Sequence, residues 1–99
     1  MSKYIVTFRL TDSPTYEDRY VALYDFFSNE VSEAFEDETT STIFCEGLDL
    51  PNKLAKADIL IKEDEVLFVK VGQSKEIEAA YRVNGNEAKE AQDIINFFN

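Results

Sequence analysis

From Tyr4 to Leu10 the chain alternates. Tyr4, Val6, Phe8 and Leu10 fall on one side, and Ile5, Thr7 and Arg9 on the other. This period of two predicts a strand with one strongly apolar face and one mixed face. The pattern breaks at Thr11-Asp12, and Ser13-Pro14-Thr15 reads as a helix start, with Thr15 as N-cap. Asp18 supplies a weaker form of the capping box, and Glu17 favours the helix dipole. The spacing then becomes three and four. Tyr20, Leu23, Tyr24, Phe27 and Val31 form one helical stripe, while Asp25, Ser28, Asn29 and Glu30 face water.

Two continuations are open after Phe27. Val31, Ala34 and Phe35 extend the helical stripe, whereas Ser28-Asn29 is a reasonable stop, after which Ser32 to Asp37 forms a short edge strand. The reading preferred here breaks the helix near Asn29. Thr39 to Cys45 is rich in β-branched residues and predicts a strand ended by Glu46-Gly47. Asp49 then caps a second helix with Leu50, Leu54, Ala57 and Ile61 on one side, and Pro51 is tolerated because it falls in the first turn. A charged turn, Lys62 to Glu65, leads into Val66 to Val71, a nearly continuous apolar run expected of a central strand. Ile77, Ala79, Tyr81 and Val83 alternate again. Asn84-Gly85-Asn86 turns the chain into a C-terminal helix carrying Ala88, Ala91, Ile94, Ile95 and Phe98.

This order predicts an α+β fold, a ferredoxin-like sandwich in which a βαββαβ antiparallel sheet carries two helices on one face. Residues 3–71 make the core of a single domain spanning 1–99, and residues 76–98 add a C-terminal strand and helix. The other sheet face, with Ile5, Thr7, Arg9 and neighbours from Thr39 to Cys45, is apolar enough to be covered by a second subunit or by the appended helix.

Composition narrows the chemistry. In a chain of 99 residues, five tyrosines and eight phenylalanines argue for a folded core despite a formal charge of −10. That charge repels phosphate backbones, so direct nucleic-acid binding is not favoured. Arg9, Arg19, Arg82, Lys3 and Lys70 are dispersed, and make a phosphate-binding patch only if folding gathers them. Tyr4, Tyr16, Tyr20, Tyr24 and Phe8 lack the basic interleaving of a base-stacking surface. The absence of histidine excludes most triad and zinc-site readings, while carboxylates binding Mg²⁺ or Mn²⁺ remain open. Cys45, flanked by Ile43-Phe44, is the sole cysteine and reads as a buried structural thiol. The start Met1-Ser2-Lys3-Tyr4 has no signal-peptide character, and no apolar run reaches membrane-spanning length, so a soluble cytoplasmic protein is expected.

Five segments resemble the small CRISPR-associated adaptation subunit and its VapD-like relatives. They are the opening strand Tyr4-Ile5-Val6-Thr7-Phe8-Arg9-Leu10, the first helix Tyr20 to Phe27, the strand Ser41-Thr42-Ile43-Phe44, the helix Leu50 to Leu54, and Asp64-Glu65-Val66-Leu67-Phe68-Val69 entering the fourth strand. The resemblance implies a symmetric homodimer in which C-terminal strands extend the partner's sheet. In active members a carboxylate at the end of the first strand binds a divalent metal for phosphodiester cleavage. Here that position holds Arg9, whose guanidinium repels a cation. Asp12 is the nearest substitute, with Asp64 or Glu65 as a metal-binding companion.

Three functions follow. The first, favoured here, is a non-catalytic dimeric module, a degenerate relative of these nucleases. It uses no cofactor and binds an unidentified protein through its sheet edge or acidic helix faces. The second is a metal-dependent endonuclease using Asp12. The third is an acidic nucleic-acid mimic that offers Glu30, Glu33, Glu36, Asp37 and Glu38 to the basic cleft of a defence or DNA-binding protein.

Overall fold

The structure is a computed structural model and describes residues 1–37, 41–74 and 76–99. Its elements are β1 (Ser2–Arg9), α1 (Tyr16–Glu30), β2 (Val31–Asp37), β3 (Thr42–Gly47), α2 (Leu50–Ala57), β4 (Glu65–Val71), β5 (Ile77–Asn84), β6 (Glu87–Glu90) and α3 (Gln92–Phe98). The strands form one antiparallel sheet in the order β2-β3-β1-β4-β5-β6. The fold class is α+β.

One face of the sheet, called inner here, carries the core. Tyr4 and Val6 of β1, Ile43 and Cys45 of β3, Val66 and Phe68 of β4 and Val83 of β5 meet Leu23, Phe26 and Phe27 of α1 and Leu50, Leu54 and Ala55 of α2. Phe68 is fully buried, with ring centroids 5.7 Å from Tyr4 and 6.1 Å from Phe27. Gly47 closes β3 beneath Leu50, and a Cβ there would lie 2.8 Å from the Leu50 side chain, so any larger residue would have to displace that buried leucine.

Val31–Asp37 is a strand, in line with the preferred break of the helix near Asn29, and it pairs with β3 from Val31↔Gly47 to Asp37↔Thr42. Other sequence expectations change. The buried stripe of α1 is Arg19, Leu23, Phe26 and Phe27, a rotation from the expected one that leaves Tyr20 38% exposed. Thr15 precedes α1 without capping it through its side chain; its hydroxyl accepts instead from Arg19 Nε at 3.1 Å. Asp49 likewise makes no side-chain cap, accepting from Asn52 Nδ2 at 2.9 Å. α2 stops at Ala57, short of Ile61.

The C-terminal addition is a hairpin followed by a helix. Gly85, at φ 55° and donating to Ile61 O at 3.1 Å, turns the chain through two residues so that Glu87 pairs with Asn84 and Ala88 with Val83. The helix-favouring residues Glu87, Ala88, Lys89 and Glu90 are therefore held as an edge strand by pairing. The helix begins only at Gln92 and sits against the outer face of the sheet, where Arg82 donates to both Asp93 carboxylate oxygens at 2.7 and 2.9 Å. That guanidinium holds the Asp93 carboxyl below its ordinary value.

Cys45 faces the core at 6% exposure, and burial pushes its thiol up to about 11. At pH 8 only about one thiol in a thousand is then ionised. Iodoacetamide is expected to leave native Cys45 unmodified on a timescale that alkylates it completely in denaturant. Equal labelling rates in the two states would contradict its placement.

Candidate interaction surface

The outer face is built by register. Cross-strand neighbours share a face, and the pairs Phe44↔Ile5, Ile5↔Val69 and Val69↔Ala80 run in one straight row across β3, β1, β4 and β5. At the β2 end, Phe35 continues the row in backbone register. Ile5, Phe44 and Val69 are half-buried, and so is Leu67 in the next row. Ala80 is fully buried where α3 begins, with the Ala91 N–H donating to the Ala80 carbonyl at 2.7 Å. α3 thus covers the β5 side and leaves the rest of the row uncovered by helix. It also displays Phe97 and Phe98, 82% and 59% exposed.

Polar residues rim the row. Lys3 and Glu46 are opposite each other on one side, and Thr7 and Thr42 on the other. Beyond them Arg9 opposes Glu65, and Glu65 also approaches Arg82 at 3.8 Å. An apolar centre with a polar rim is the anatomy of a protein–protein contact. The other surfaces are less suited to one. The β6 edge is four residues long and three of them are charged, a composition that discourages strand addition. On α1, Glu17, Asp18, Asp25 and Glu30 are exposed, and its one basic residue is buried.

Compared with known proteins, the chain matches no family model, no curated protein and no solved structure. The geometry alone carries the functional argument.

Arg9 is exposed at the outer-face end of β1, and Asp12 is exposed in the loop that follows. Asp64 is fully buried, and both of its oxygens are occupied. Its Oδ1 accepts from the Thr11 N–H at 2.8 Å and from Arg19 at 2.5 Å, and its Oδ2 accepts from the Ile61 N–H at 3.0 Å. Arg19 also donates to the Thr11 carbonyl and to Ser13 Oγ, at 2.7 and 2.6 Å. The Asp64 carbonyl accepts from Asn84 Nδ2 at 2.9 Å. This clamp joins the loop after β1, α1, the turn before β4 and the end of β5. It serves the fold and does not meet Asp12.

Glu65 lies on the outer face, away from the Asp64 carboxylate. Glu30 is exposed and ion-pairs with Lys53 at 3.4 Å. The side chains of Glu33, Glu36 and Asp37, and the whole of Glu38, lie outside the described residues. Among the described residues no three His, Cys, Asp or Glu side chains converge. Arg9, Arg19, Arg82, Lys3 and Lys70 do not collect into one patch: Arg19 is buried, Arg82 is bound to Asp93, and Lys70 pairs with Glu78 at 3.3 Å on the inner face. Tyr16, Tyr20 and Tyr24 form a ladder along α1 with centroids 6.1 and 4.9 Å apart, resting on Phe8.

Sequence reasoning missed the Arg19–Asp64 clamp. The available signal was a cation at the spacing of Leu23 and Phe27, because an arginine within an apolar stripe needs a buried anion. The outer face was anticipated at Ile5, Thr7, Arg9 and the segment Thr39 to Cys45 that contains Phe44, but not at Val69 or Ala80.

Proposed function

We propose that this chain is a non-catalytic protein-binding module that docks its partner on the outer face of the sheet. We read its first six elements as a ferredoxin-like unit descended from the small CRISPR-associated and VapD-like nucleases. The order β2-β3-β1-β4, with β5, β6 and α3 appended, supports that reading. Arg9 in place of a metal-binding carboxylate, together with an Asp64 committed to Arg19, favours binding over hydrolysis. The observation that carries the proposal is the row Ile5, Phe44 and Val69 on central strands, half-buried within a polar rim. No helix among the described residues is long and apolar enough to cross a membrane, and we place the module in the cytoplasm.

The test is capture from a lysate of the source cells by immobilised wild type, Ile5→Glu, and an α1 variant with Asp18→Asn and Asp25→Asn. Ile5→Glu is expected to lose the recovered protein, and the α1 variant to keep it, with nuclease treatment changing neither. Retention by Ile5→Glu would overturn the outer face as the docking surface.

The exposed carboxylates of α1 favour a second reading, that of a nucleic-acid mimic. Under it, the α1 variant would lose the recovered protein and binding would collapse steeply with added salt.

A further inference from the structure

On the outer face a helix covers one side only. α3 occupies the layer above β5, and the strands beyond it are β4, β1, β3 and β2 in that order. Neighbouring strands lie about 4.8 Å apart, which puts β1 about 9.6 Å from β5. Helices packed side by side have axes about 8–10 Å apart. A helix laid beside α3 therefore sits over β1, with Ile5 beneath it and Phe44 and Val69 to either side. The inner face is already covered in this way, since α1 and α2 share it.

Charge decides what kind of helix fits. The uncovered outer-face positions carry Lys3 and Arg9 on β1, Glu46 on β3, Glu65 on β4, and Glu33 and Asp37 on β2. Lys3 stands opposite Glu46, and Arg9 opposite Glu65. On the edge strand β2 no such match exists, because Glu33 stands opposite Glu46 and Asp37 opposite Thr42. The excess of acid thus lies on the side farthest from α3. The longest helix of the chain itself does not complement it: α1 displays Glu17, Asp18, Asp25 and Glu30, and its arginine is buried.

We infer that the outer face takes an amphipathic helix of another protein, with apolar residues at three-four spacing over the Ile5 row and lysine or arginine along the flank toward β2. This rests on the outer face being the docking surface and names the chemistry of its partner. The apolar anchors supply affinity, as in other helix-in-groove contacts, and the basic flank sets which way the helix points. The formal charge of −10 steers such a partner toward the protein from a distance.

A phage-displayed library of helical peptides, with lysine, glutamate, leucine or alanine at each varied position, is selected on immobilised wild type. The enriched sequences are expected to carry leucines at three-four spacing bordered on one side by lysine. A synthetic peptide of the enriched sequence, with one tryptophan added, is then titrated by fluorescence, since the protein has no tryptophan of its own. Ile5→Glu is expected to lose binding, and Glu46→Lys to weaken it about tenfold or more. The α1 variant with Asp18→Asn and Asp25→Asn is expected to bind as wild type does. Should Ile5→Glu fail to fold, Glu46→Lys carries the test.

No enrichment over a blank surface, enrichment of glutamate in place of lysine, or a peptide indifferent to both Ile5→Glu and Glu46→Lys would overturn the inference. So would a wild type that sediments at twice the 11.4 kDa chain mass and becomes monomeric on Ile5→Glu, because a second copy then fills the place. If lysate capture still depends on Ile5 in any of these cases, the outer face stands and only the partner's chemistry is wrong. If lysine-rich peptides bind Ile5→Glu and Glu46→Lys but not the α1 variant, and capture survives Ile5→Glu, the outer-face reading fails as well.

Discussion

Asp64→Ala is expected to cost about 3–5 kcal/mol of folding stability, the penalty of stranding one member of a buried ion pair. Arg19, 5% exposed, would keep its charge inside the protein without its counter-ion, and the N–H groups of Thr11 and Ile61 would lose their acceptor. In a domain of this length each kcal/mol corresponds to about 4–8 °C in Tm, so thermal unfolding followed by circular dichroism should fall by roughly 12 °C or more. Replacing both members with apolar residues, Arg19→Met with Asp64→Leu, is expected to cost less than Asp64→Ala alone, since no uncompensated charge remains. A fall under about 4 °C for Asp64→Ala would show that the clamp does not hold the loop, α1 and β4 together.

Phe68→Ala is expected to lose about 3–5 kcal/mol in urea unfolding, through lost burial and the cavity left between Tyr4 and Phe27. The next residue, Val69, points to the other face, where it is half-buried. In dilute solution Val69→Ser should cost only about 1 kcal/mol or less. The inner face therefore supplies the stability, and the outer face is free to be specified by something else. Equal losses for the two variants would remove that distinction.

The strands β1 and β4 and the helix α1 were legible because each carries its period within one segment: alternation in Tyr4 to Leu10, a nearly unbroken apolar run in Val66 to Val71, and three-four spacing from Leu23 to Phe27. For residues 31–37 the stop at Ser28-Asn29 pointed to a strand although Val31, Ala34 and Phe35 also fit a helix, and pairing with β3 decides it; residues 87–90 were not legible, since their own propensities favour helix and long-range pairing decides against it. The phase of the α1 stripe was ambiguous between Tyr20 with Tyr24 and Arg19 with Phe26. Only the distant Asp64 resolves it. Asp64 was hidden within Lys62-Glu63-Asp64-Glu65, four charged residues of which the turn geometry draws in one. The outer row was hidden for a different reason. No segment holds more than one or two of its members, and it exists only once the registers of β3, β1, β4 and β5 are set.

The central claim, that the outer sheet face is the working surface, is tested most directly by hydroxyl-radical footprinting of the free and the assembled protein. Ile5, Phe44, Leu67 and Val69 are expected to lose reactivity on assembly, while Tyr16, Tyr20 and Tyr24 on the opposite side of the sheet keep theirs. Protection of the tyrosine ladder with unchanged reactivity at Ile5 and Val69 would contradict it.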